Sequence, residues 1–426
     1  MPTAGQLAYF ARDTKSYKPL RAALRFRTVK EKVALLWGDP VYVIAINGGQ
    51  ATVSAKGHHL ELPVTDLMDT PLLCVFQIDV GQGDGALVNF PDGRWMMVDG
   101  GPPKKSSNSG RIAADFLDWK MFVDQSWRKE FLFGGPRFVL DAVVCTHPDE
   151  DHYGGFEAMI KRVRSRVLDY GMVFHCGLGR FRGQATAFEN GRGVGQLGEV
   201  RGTAPPDAYV TTLLDDFNDV RDLSSETPAR PWKLAGGYAR WLQGLAELEG
   251  SGVGGLRRVH RGLGHLPSYE PADGGASVAL LGPVEEPLNG QPALRYLDTA
   301  GASSMKDPSL TRNGHSVVLR IDYDRVRILL TGDLNFRSQA VLLKHVPAAE
   351  FSCHVAKACH HGSDDVSATF LEAMSPWATM ISSGDNESYA HPRAKILGLT
   401  ARSTSCARKA DRSDSSTSRR TGTPPR

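Results

Sequence analysis

Short apolar runs separated by turn residues dominate the first part of the chain. Between residues 31 and 67 the runs VALLW, VYVIAI, ATVSA and HLELPV alternate with the turn signals GDP, NGGQ and KGHH. Several short strands that follow one another this closely are typical of a small all-β module. We therefore predict that residues 1–70 form an arm and a small SH3-like β-barrel, which would bind a protein partner.

The pattern changes at residue 72, where strand and helix patterns begin to alternate. FQIDV, GALVNF and WMMVDGG have the composition of strands, and PDGR is a hairpin turn. The amphipathic pattern RIAADFLDWKMFVD precedes the strand pattern LDAVVC, which is followed by the helix pattern FEAMIKRVRSRV. Strand, loop and helix in repetition predict a layered α/β domain over residues 71–400.

Two segments depart from this alternation. Residues 176–275 are glycine-rich and irregular apart from the helix pattern YARWLQGLAELEG, and we predict that they form a long insertion. Strand patterns return in SVALLGPV and in NGHSVVLRIDYDRVRILLTGDL. Residues 401–426 consist largely of Arg, Ser, Thr and Pro, so we predict a disordered basic tail.

The composition is that of an ordinary globular protein, with 41% hydrophobic residues, 23% charged residues and a net charge of +3. This charge neither requires nor excludes a nucleic-acid partner. The N-terminal segment lacks the apolar core of a signal peptide, and no run approaches the roughly 20 apolar residues of a membrane span. We therefore expect a cytoplasmic protein without a membrane partner, and we expect its six cysteines to be reduced.

Charged residues crowd at the end of the strand pattern LDAVVC. The next segment, THPDEDHYGG, places His147, Asp149, Asp151 and His152 within six positions. Two carboxylates and two imidazoles this close repel one another or need desolvation unless a cation lies among them. The alternative is a solvated acidic loop before a helix, so this segment alone does not establish a metal site.

Two further segments repeat the same arrangement. ILLTGD places Asp333 at the end of an apolar strand pattern, and KACHHGS places His360 and His361 at the end of another. Each time an apolar strand is followed by a metal-type ligand and a glycine. A capping aspartate or a buried histidine would explain each segment alone, but their joint occurrence predicts a dinuclear metal site.

Five motifs stand in an order that resembles the metallo-β-lactamase-fold hydrolases, most closely the soluble hydrolase domain of ComEC-type DNA-uptake proteins. The motifs are IDVGQGDGALVNFPDGRWMMVDGG, THPDEDHYGG, NGHSVVLRI, LLTGD and HHGS, and they fall between residues 75 and 398. The resemblance implies an α/β fold, a four-layer αββα metallo-β-lactamase sandwich with the metals at one edge of its two sheets.

The resemblance also implies a ligand set. His147 and Asp149 would bind the first metal, Asp151 and His152 the second, and Asp333 would bridge both. One histidine of the pair His360 and His361 would supply the last ligand, and the sequence does not separate them. Asp99 would hydrogen-bond the metal loop, and Asp79 and Asp84 would line the same edge.

Two positions depart from the commonest form of the superfamily. Asp149 stands where that form has histidine, as in the ComEC-like subset. The third motif usually supplies a histidine, but here it reads RNGHS, which leaves Asn313 or His315, with His175 as a more distant candidate. We favour Asn313 beside the ions and His315 as a supporting or substrate contact. Oxygen-rich ligands make Mn²⁺ nearly as plausible as Zn²⁺.

The resemblance implies a metal-dependent hydrolase, most readily a nuclease-like phosphodiesterase. Two divalent ions would share and activate a hydroxide, with Asp151 holding one of them. His391, past the last metal motif, would contact substrate or protonate the leaving group, unless it merely precedes a helix start at Pro392. The alternatives are hydrolysis of a small phosphodiester, a phosphocholine-type ester or a lactone, and a non-catalytic metal-binding interaction protein.

Overall fold

The N-terminal part of the chain is a small all-β unit. The structure, a computed structural model, describes residues 2–22, 32–106, 112–124, 137–203, 207–298, 308–384 and 388–402. The first strands are β1 Leu7–Phe10, β2 Lys15–Tyr17, β3 Arg21–Ala22, β4 Val33–Leu35, β5 Pro40–Asn47, β6 Gln50–Ala55, β7 His58–Pro63 and β8 Leu67–Met68. They form a six-stranded sheet of order β3-β7-β6-β5-β1-β8 and a two-stranded sheet of β2 and β4.

The predicted SH3-like barrel is not confirmed. The six-stranded sheet ends at β3 and β8, each of which is two residues long, and among the described strands these two do not pair with each other. The sheet is therefore open. Its core is nevertheless separate, because it contains residues between Ala8 and Leu67, with Phe10 and Val41 fully buried.

The remaining elements alternate as the sequence pattern predicts. The strands are β9 Cys74–Gln77, β10 Gly85–Asn89, β11 Trp95–Gly100, β12 Phe138–Cys145, β13 Leu168–His175, β14 Phe181–Gly183, β15 Thr186–Glu189, β16 Arg192–Gly195, β17 Gly198–Gly202, β18 Ala208–Val210, β19 Trp232–Leu234, β20 Val253–Arg258, β21 Ser277–Gly282, β22 Leu294–Arg295, β23 Val318–Tyr323, β24 Val326–Leu330, β25 Val355–Lys357 and β26 Ala378–Met380. The helices are α1 Ala113–Trp119, α2 Glu150–Tyr153, α3 Phe156–Arg164, α4 Phe217–Leu223, α5 Gly236–Ala246, α6 Ser309–Gly314, α7 Phe336–His345 and α8 Ala368–Met374. Residues 394–402 are also helical.

Two sheets pack face to face. One has the order β20-β13-β12-β11-β10-β9 and the other β21-β23-β24-β25-β26. Side chains alternate along the second half of β12: Val143 and Cys145 face a core shared with α1, α3 and α5, whereas Ala142 and Val144 face the core between the sheets. A third core lies between the second sheet and α7 and α8. The layers are therefore helices, sheet, sheet, helices, which is the order of the predicted αββα sandwich.

The predicted insertion does not lie wholly outside the sandwich. β20 falls within residues 176–275 but pairs in parallel with β13 and forms the edge of the first sheet. The other strands of this range form two small sheets, one of β14 and β19 and one of β15 to β18 with β22. The glycine-rich pattern conceals β20 because Gly254 and Gly255 occupy two of its six positions.

Three further expectations concern the chain as a whole. The predicted tail lies outside the described residues except for 401 and 402, which are helical. No helix in the described part of the chain is long and apolar enough to cross a membrane. Among the described residues, Cys74, Cys145, Cys176, Cys353 and Cys359 form no disulfide bond.

Candidate metal centre

The metal loop follows β12 and turns directly into a short helix. β11, β12 and β13 are parallel neighbours, so their carboxyl ends lie at one edge of the first sheet. After Thr146 and His147 the chain turns at Asp149, whose carbonyl accepts the backbone N–H of His152 at 3.0 Å. Gly155 permits this turn, because a Cβ there would overlap the Gly100 carbonyl at the end of β11.

Asp99 holds the loop after β12 through hydrogen bonds. It is buried, lies in the left-handed region with φ 57°, and accepts the Thr146 N–H at 2.8 Å and the Thr146 hydroxyl at 2.7 Å. Its second oxygen lies 2.8 Å from Nδ1 of His152. The far nitrogen of that ring, Nε2, is thereby directed toward Asp333.

Four buried side chains meet at this edge. Ligand atoms of Asp84, His152, Asp333 and His361 all lie within 4.8 Å of one another. Oδ2 of Asp333 is 3.3 Å from Nε2 of His152 and 3.1 Å from Nε2 of His361. The structure thus selects His361 from the histidine pair for this cluster.

Asp84 and Asp151 approach the two imidazoles from different sides. Asp84 lies 3.5 Å from Nδ1 of His361 and 3.8 Å from Nδ1 of His152, whereas Oδ2 of Asp151 lies 3.3 Å from Nε2 of His361. Nδ1 of each ring already has a partner, in the carbonyl of Ser382 or the carboxylate of Asp99. Asp151, His152, Asp333 and His361, called the His152 half below, are therefore the candidate ligands whose facing atoms have no other partner among these groups.

Lys357 is a buried cation that the sequence patterns did not predict. Its ammonium group forms an ion pair with Asp84, donates to the Gly332 carbonyl at 2.8 Å and lies 3.3 Å from Oδ1 of Asp333. Burial opposes its charge, but Asp84 and Asp333 raise the pKa of Lys357. A lysine inside the apolar strand VAK, directly before ACHHGS, was the available signal.

The donor set fits a divalent cation. Nε2 of His147, His152 and His361 are buried and make no well-aligned hydrogen bond among the described residues, although Oδ2 of Asp333 lies 3.3 and 3.1 Å from the Nε2 atoms of His152 and His361. Orphaned buried imidazole nitrogens are rare in proteins, and here they point toward carboxylates. Burial would raise the pKa of Asp333, but His361 and His152 hold it well below its usual value, so this carboxylate is ionised. Imidazole nitrogens and carboxylates together are ligands of Zn²⁺ and Mn²⁺.

His147, Asp149 and Asn313 form a second group, called the His147 half below. Thr146 and Ser316 contact Nδ1 of His147 at 3.1 and 3.3 Å, which leaves Nε2 4.0 Å from Oδ2 of Asp149. Burial and the neighbouring His152 lower the pKa of His147 to about 4, so the ring is neutral at neutral pH.

A guanidinium group lies in the His147 half. Nε of the buried Arg312 donates to Oδ1 of Asp149 at 2.7 Å. With its amide nitrogen turned toward Asp149, Asn313 donates to Oδ2 at 2.9 Å. Both oxygens of Asp149 therefore have a protein partner.

The remaining sequence candidates lie around or away from these two halves. His360 lies at the rim, 30% exposed, with Nε2 3.8 Å from Oδ2 of Asp333. His391 lies next to it, with ring centroids 5.9 Å apart. His315 bonds the Arg295 carbonyl through Nε2 at 2.7 Å, and it therefore does not join the cluster.

Two further candidates are also outside the centre. His175 is buried against the Tyr238 hydroxyl, 3.3 Å from Nδ1, and burial lowers its pKa to about 3. Asp79 is exposed, and its carboxylate accepts the N–H of Gly81 at 3.4 Å. The DVGQGD motif thus brings Asp84 to the cluster and leaves Asp79 outside it.

A cavity of about 560 Å³ opens in the insertion. It is lined by Arg180, Arg182, Trp232 and the first residue of α5, Gly236. Within the described residues, neither arginine side chain takes part in an ion pair or a hydrogen bond. The cavity therefore presents two uncompensated positive charges beside an aromatic ring.

The insertion cavity is connected to the metal loop by packing. α5 begins at the cavity and contacts α2, where the rings of Tyr153 and Tyr238 are 5.3 Å apart. Tyr153 directly follows His152 in the metal loop. β13, which leads into the insertion, also ends at the same edge as β12.

A protein family, a curated protein and a solved structure are similar to parts of this chain. The profile of the Metallo-beta-lactamase superfamily matches residues 78–376. ComE operon protein 3 of Bacillus subtilis (strain 168) is 32% identical over 97 residues, which cover 22% of this chain and 12% of that protein. Among solved structures, a mutant of the CmlA beta-hydroxylase matches 81% of this chain and 52% of its own, at 12% identity and a TM-score of 0.34.

Proposed function

Because the chain belongs to the metallo-beta-lactamase superfamily, we propose that it is a metal-dependent phosphodiesterase that cleaves nucleic-acid strands. The observation that carries the proposal is that three buried imidazole rings lie together at one edge of the first sheet, with 4.1 Å between the ring centroids of His147 and His152 and 5.3 Å between those of His152 and His361, and that the Nε2 atom of each lacks a well-aligned hydrogen bond. Such a donor set binds divalent cations, and in hydrolases of this kind the bound cations activate water and stabilise phosphoryl charge.

The chain's own residues have distinct roles in this proposal. Asp151, His152, Asp333 and His361 would hold one ion, and His147, Asp149 and Asn313 with Asp333 would hold a second, either Zn²⁺ or Mn²⁺. Asp99 orients the His152 ring through its 2.8 Å contact with Nδ1. Lys357 compensates the negative charge of Asp84 and Asp333.

His391 is proposed to handle the leaving group. Its ring lies beside that of His360 at the rim of the centre, and burial and His360 lower the pKa of His391 to about 4. The ring is therefore neutral at neutral pH before substrate binds. The negative charge of a bound phosphodiester would favour its protonated form, which is the form that donates to a departing oxygen.

The insertion cavity supports a polynucleotide as the substrate. Its two uncompensated arginines match the repeating phosphates of a strand, and Trp232 offers a ring on which a base can stack. A small phosphodiester, a phosphocholine-type ester or a lactone would not need charges outside the metal centre. These smaller substrates and a non-catalytic metal-binding role remain the alternatives.

The test uses two substrates and one measurement of metal. Purified protein is reconstituted with Mn²⁺ or Zn²⁺ and assayed on bis-p-nitrophenyl phosphate and on a labelled single-stranded oligonucleotide. We expect metal-dependent hydrolysis of both, with a preference for the oligonucleotide. Hydrolysis of the small ester alone would favour the small-substrate alternative, and bound metal without any hydrolysis would favour the binding role.

We also propose that the N-terminal unit binds a protein partner and that the protein is cytoplasmic. Leu36 and Trp37 form an exposed apolar pair in this unit, 50% and 64% exposed. Large side chains exposed together are a feature of interaction surfaces. Such a partner could recruit the hydrolase domain without entering its metal centre.

A further inference from the structure

The two halves of the metal centre differ in their charge. In the His152 half, Asp151 and Asp333 approach the imidazoles. The nearby carboxylate of Asp84 is compensated by the Lys357 ammonium group, which leaves two carboxylate charges for a bound ion.

The His147 half has its own carboxylate in Asp149, and a cation already lies against it. Nε of Arg312 is 2.7 Å from Oδ1 of Asp149, and the arginine side chain is 8% exposed. Asn313 is uncharged and can donate to the other oxygen of Asp149. Apart from the shared Asp333, the described residues of this half therefore offer a divalent ion one carboxylate, and the Arg312 guanidinium group opposes its charge.

We infer that the His152 half binds one divalent ion tightly, whereas Arg312 makes the His147 half a weaker, second position. This inference rests on the proposed function. An ion entering the His147 half must displace the Asn313 hydrogen bond and lie close to the positively charged guanidinium group of Arg312. The buried, orphaned Nε2 of His147 still provides a donor there, so the position is weak and not abolished.

The difference in metal affinity between the two halves has a functional consequence. If hydrolysis needs both ions, activity follows the free metal concentration in the range where the weaker position fills. The tight ion would then remain bound while the enzyme is inactive. Arg312 thus acts as a positioning residue for Asp149 and as the residue that sets the metal dependence.

The test is a metal titration that does not depend on activity. Apo-protein, Arg312→Met and Arg312→Lys are titrated with Mn²⁺ by equilibrium dialysis, and the same samples are examined by electron paramagnetic resonance. For the natural chain we expect one tight equivalent and a second at least about tenfold weaker, a difference of roughly 1.4 kcal/mol. Arg312→Met should strengthen the second equivalent and add an exchange-coupled two-ion signal, whereas Arg312→Lys, which keeps the charge, should resemble the natural chain.

Two further variants serve as controls for the removal of a buried arginine and for the assignment of Asp149 to the weaker position. Arg320→Met removes another largely buried arginine, which pairs with Asp322 in β23, and should leave both equivalents unchanged. Asp149→Asn should lose the weak equivalent and keep the tight one, which tests the assignment even if Arg312→Met fails to fold. Two equivalents of equal affinity, or loss of the tight equivalent in Asp149→Asn, would overturn the inference alone. Absence of any bound metal would overturn the proposed function as well.

Discussion

Asp333 connects the charged groups of the centre. One of its oxygens lies 3.3 and 3.1 Å from the Nε2 atoms of His152 and His361, and the other lies 3.3 Å from the Lys357 ammonium group. A neutral side chain of the same shape would leave these groups without the charge that holds them together. Substitution of Asp333 is therefore the most direct single test of the proposed metal centre.

We expect Asp333→Asn to lower hydrolysis by more than tenfold, at least about 1.4 kcal/mol of barrier, and to reduce bound metal. The fold should persist, because the apolar cores on both faces of the second sheet do not depend on this side chain. Steady-state kinetics, metal analysis and circular dichroism measure the three effects. Asp324→Asn, in the exposed turn of the same hairpin, is the matched control. Activity within tenfold of the natural chain would show that Asp333 is not a ligand.

Asp99 acts through His152 and should affect metal affinity before it affects the fold. Asp99→Asn keeps the left-handed backbone, which asparagine tolerates, but removes the charge that faces Nδ1 of His152. We expect metal affinity to fall about 10- to 100-fold. Equilibrium dialysis measures the change, with the exposed Asp92→Asn as control. Unchanged affinity would mean that Thr146 alone orients the loop.

At the scale of elements, the insertion is where substrate preference should reside. Its small sheets carry the cavity with Arg180 and Arg182, while α5 packs onto the metal loop. Charges that lie outside the metal centre can contact the distant phosphates of a strand but not a small ester. Substitutions in the cavity should therefore separate the two substrates.

The double substitution Arg180→Gln, Arg182→Gln should raise KM for a single-stranded oligonucleotide about tenfold or more, since each lost phosphate contact weakens binding. Hydrolysis of bis-p-nitrophenyl phosphate should stay unchanged. The control removes two arginines of the same insertion that both pair with Glu199, in Arg192→Gln, Arg201→Gln. An equal loss for both substrates would indicate damage to the metal centre, and no loss for either would remove the cavity from the substrate path.

The carboxylate of Asp66 links separate elements of the N-terminal unit by hydrogen bonds. Asp66 accepts hydrogen bonds from Arg12 at 3.0 Å, Lys15 at 2.8 Å and Tyr17 at 2.7 Å, and so joins β2 to the turn before β8. Burial alone would raise the pKa of Asp66, but the hydrogen bonds from Lys15, Tyr17 and Arg12 lower it. The contact therefore stabilises the unit while the carboxylate is ionised.

Because the folded pKa of Asp66 lies below its unfolded value of about 3.9, its contribution is present above that pH and is lost as pH falls through the folded pKa. We expect Asp66→Asn to unfold at a lower temperature than the natural chain at neutral pH. The difference should shrink as the pH is lowered toward about 3. Differential scanning calorimetry over this range measures it, and a difference that is independent of pH would contradict the assignment.

At the scale of the whole molecule, the N-terminal unit and the hydrolase domain have separate cores. The core of the unit contains residues between Ala8 and Leu67, and the candidate metal ligands all lie beyond residue 83. A contact between the two parts is the hydrogen bond from Lys56 N–H to the Asp124 carbonyl at 3.2 Å. Removal of the unit should therefore leave the metal centre intact.

We expect a chain that lacks residues 1–70 to hydrolyse bis-p-nitrophenyl phosphate at a rate close to that of the full chain. The sandwich supplies both sheets and all proposed ligands, so chemistry on a small substrate does not need the open sheet. Metal content and circular dichroism of the truncated protein are measured alongside. A truncated protein that folds and binds metal but is inactive would show that the N-terminal unit completes the active site.

The sequence by itself determined the layered α/β domain, the edge at which the chemistry lies and most of the candidate ligands. These are local properties: an apolar strand pattern, then His147, Asp333 or His361, then a glycine that lets the chain turn. Local patterns reveal which strands end in ligands. Because the carboxyl ends of parallel neighbours meet at one edge of a sheet, the same patterns also indicate that these ligands lie together. The same patterns led to a closed barrel for residues 1–70, although closure depends on which distant edges pair, and the described sheet is open.

Only the tertiary structure decided how charge is distributed within the centre. Arg312 and Asp149 are 163 residues apart, and neither segment indicates that the other will lie against it. The same holds for Lys357 with Asp84, and for the choice of His361 over its neighbour His360. The physical reason is that periodicity and turn chemistry act over a few residues, whereas the pairing of buried charges depends on how two sheets pack face to face.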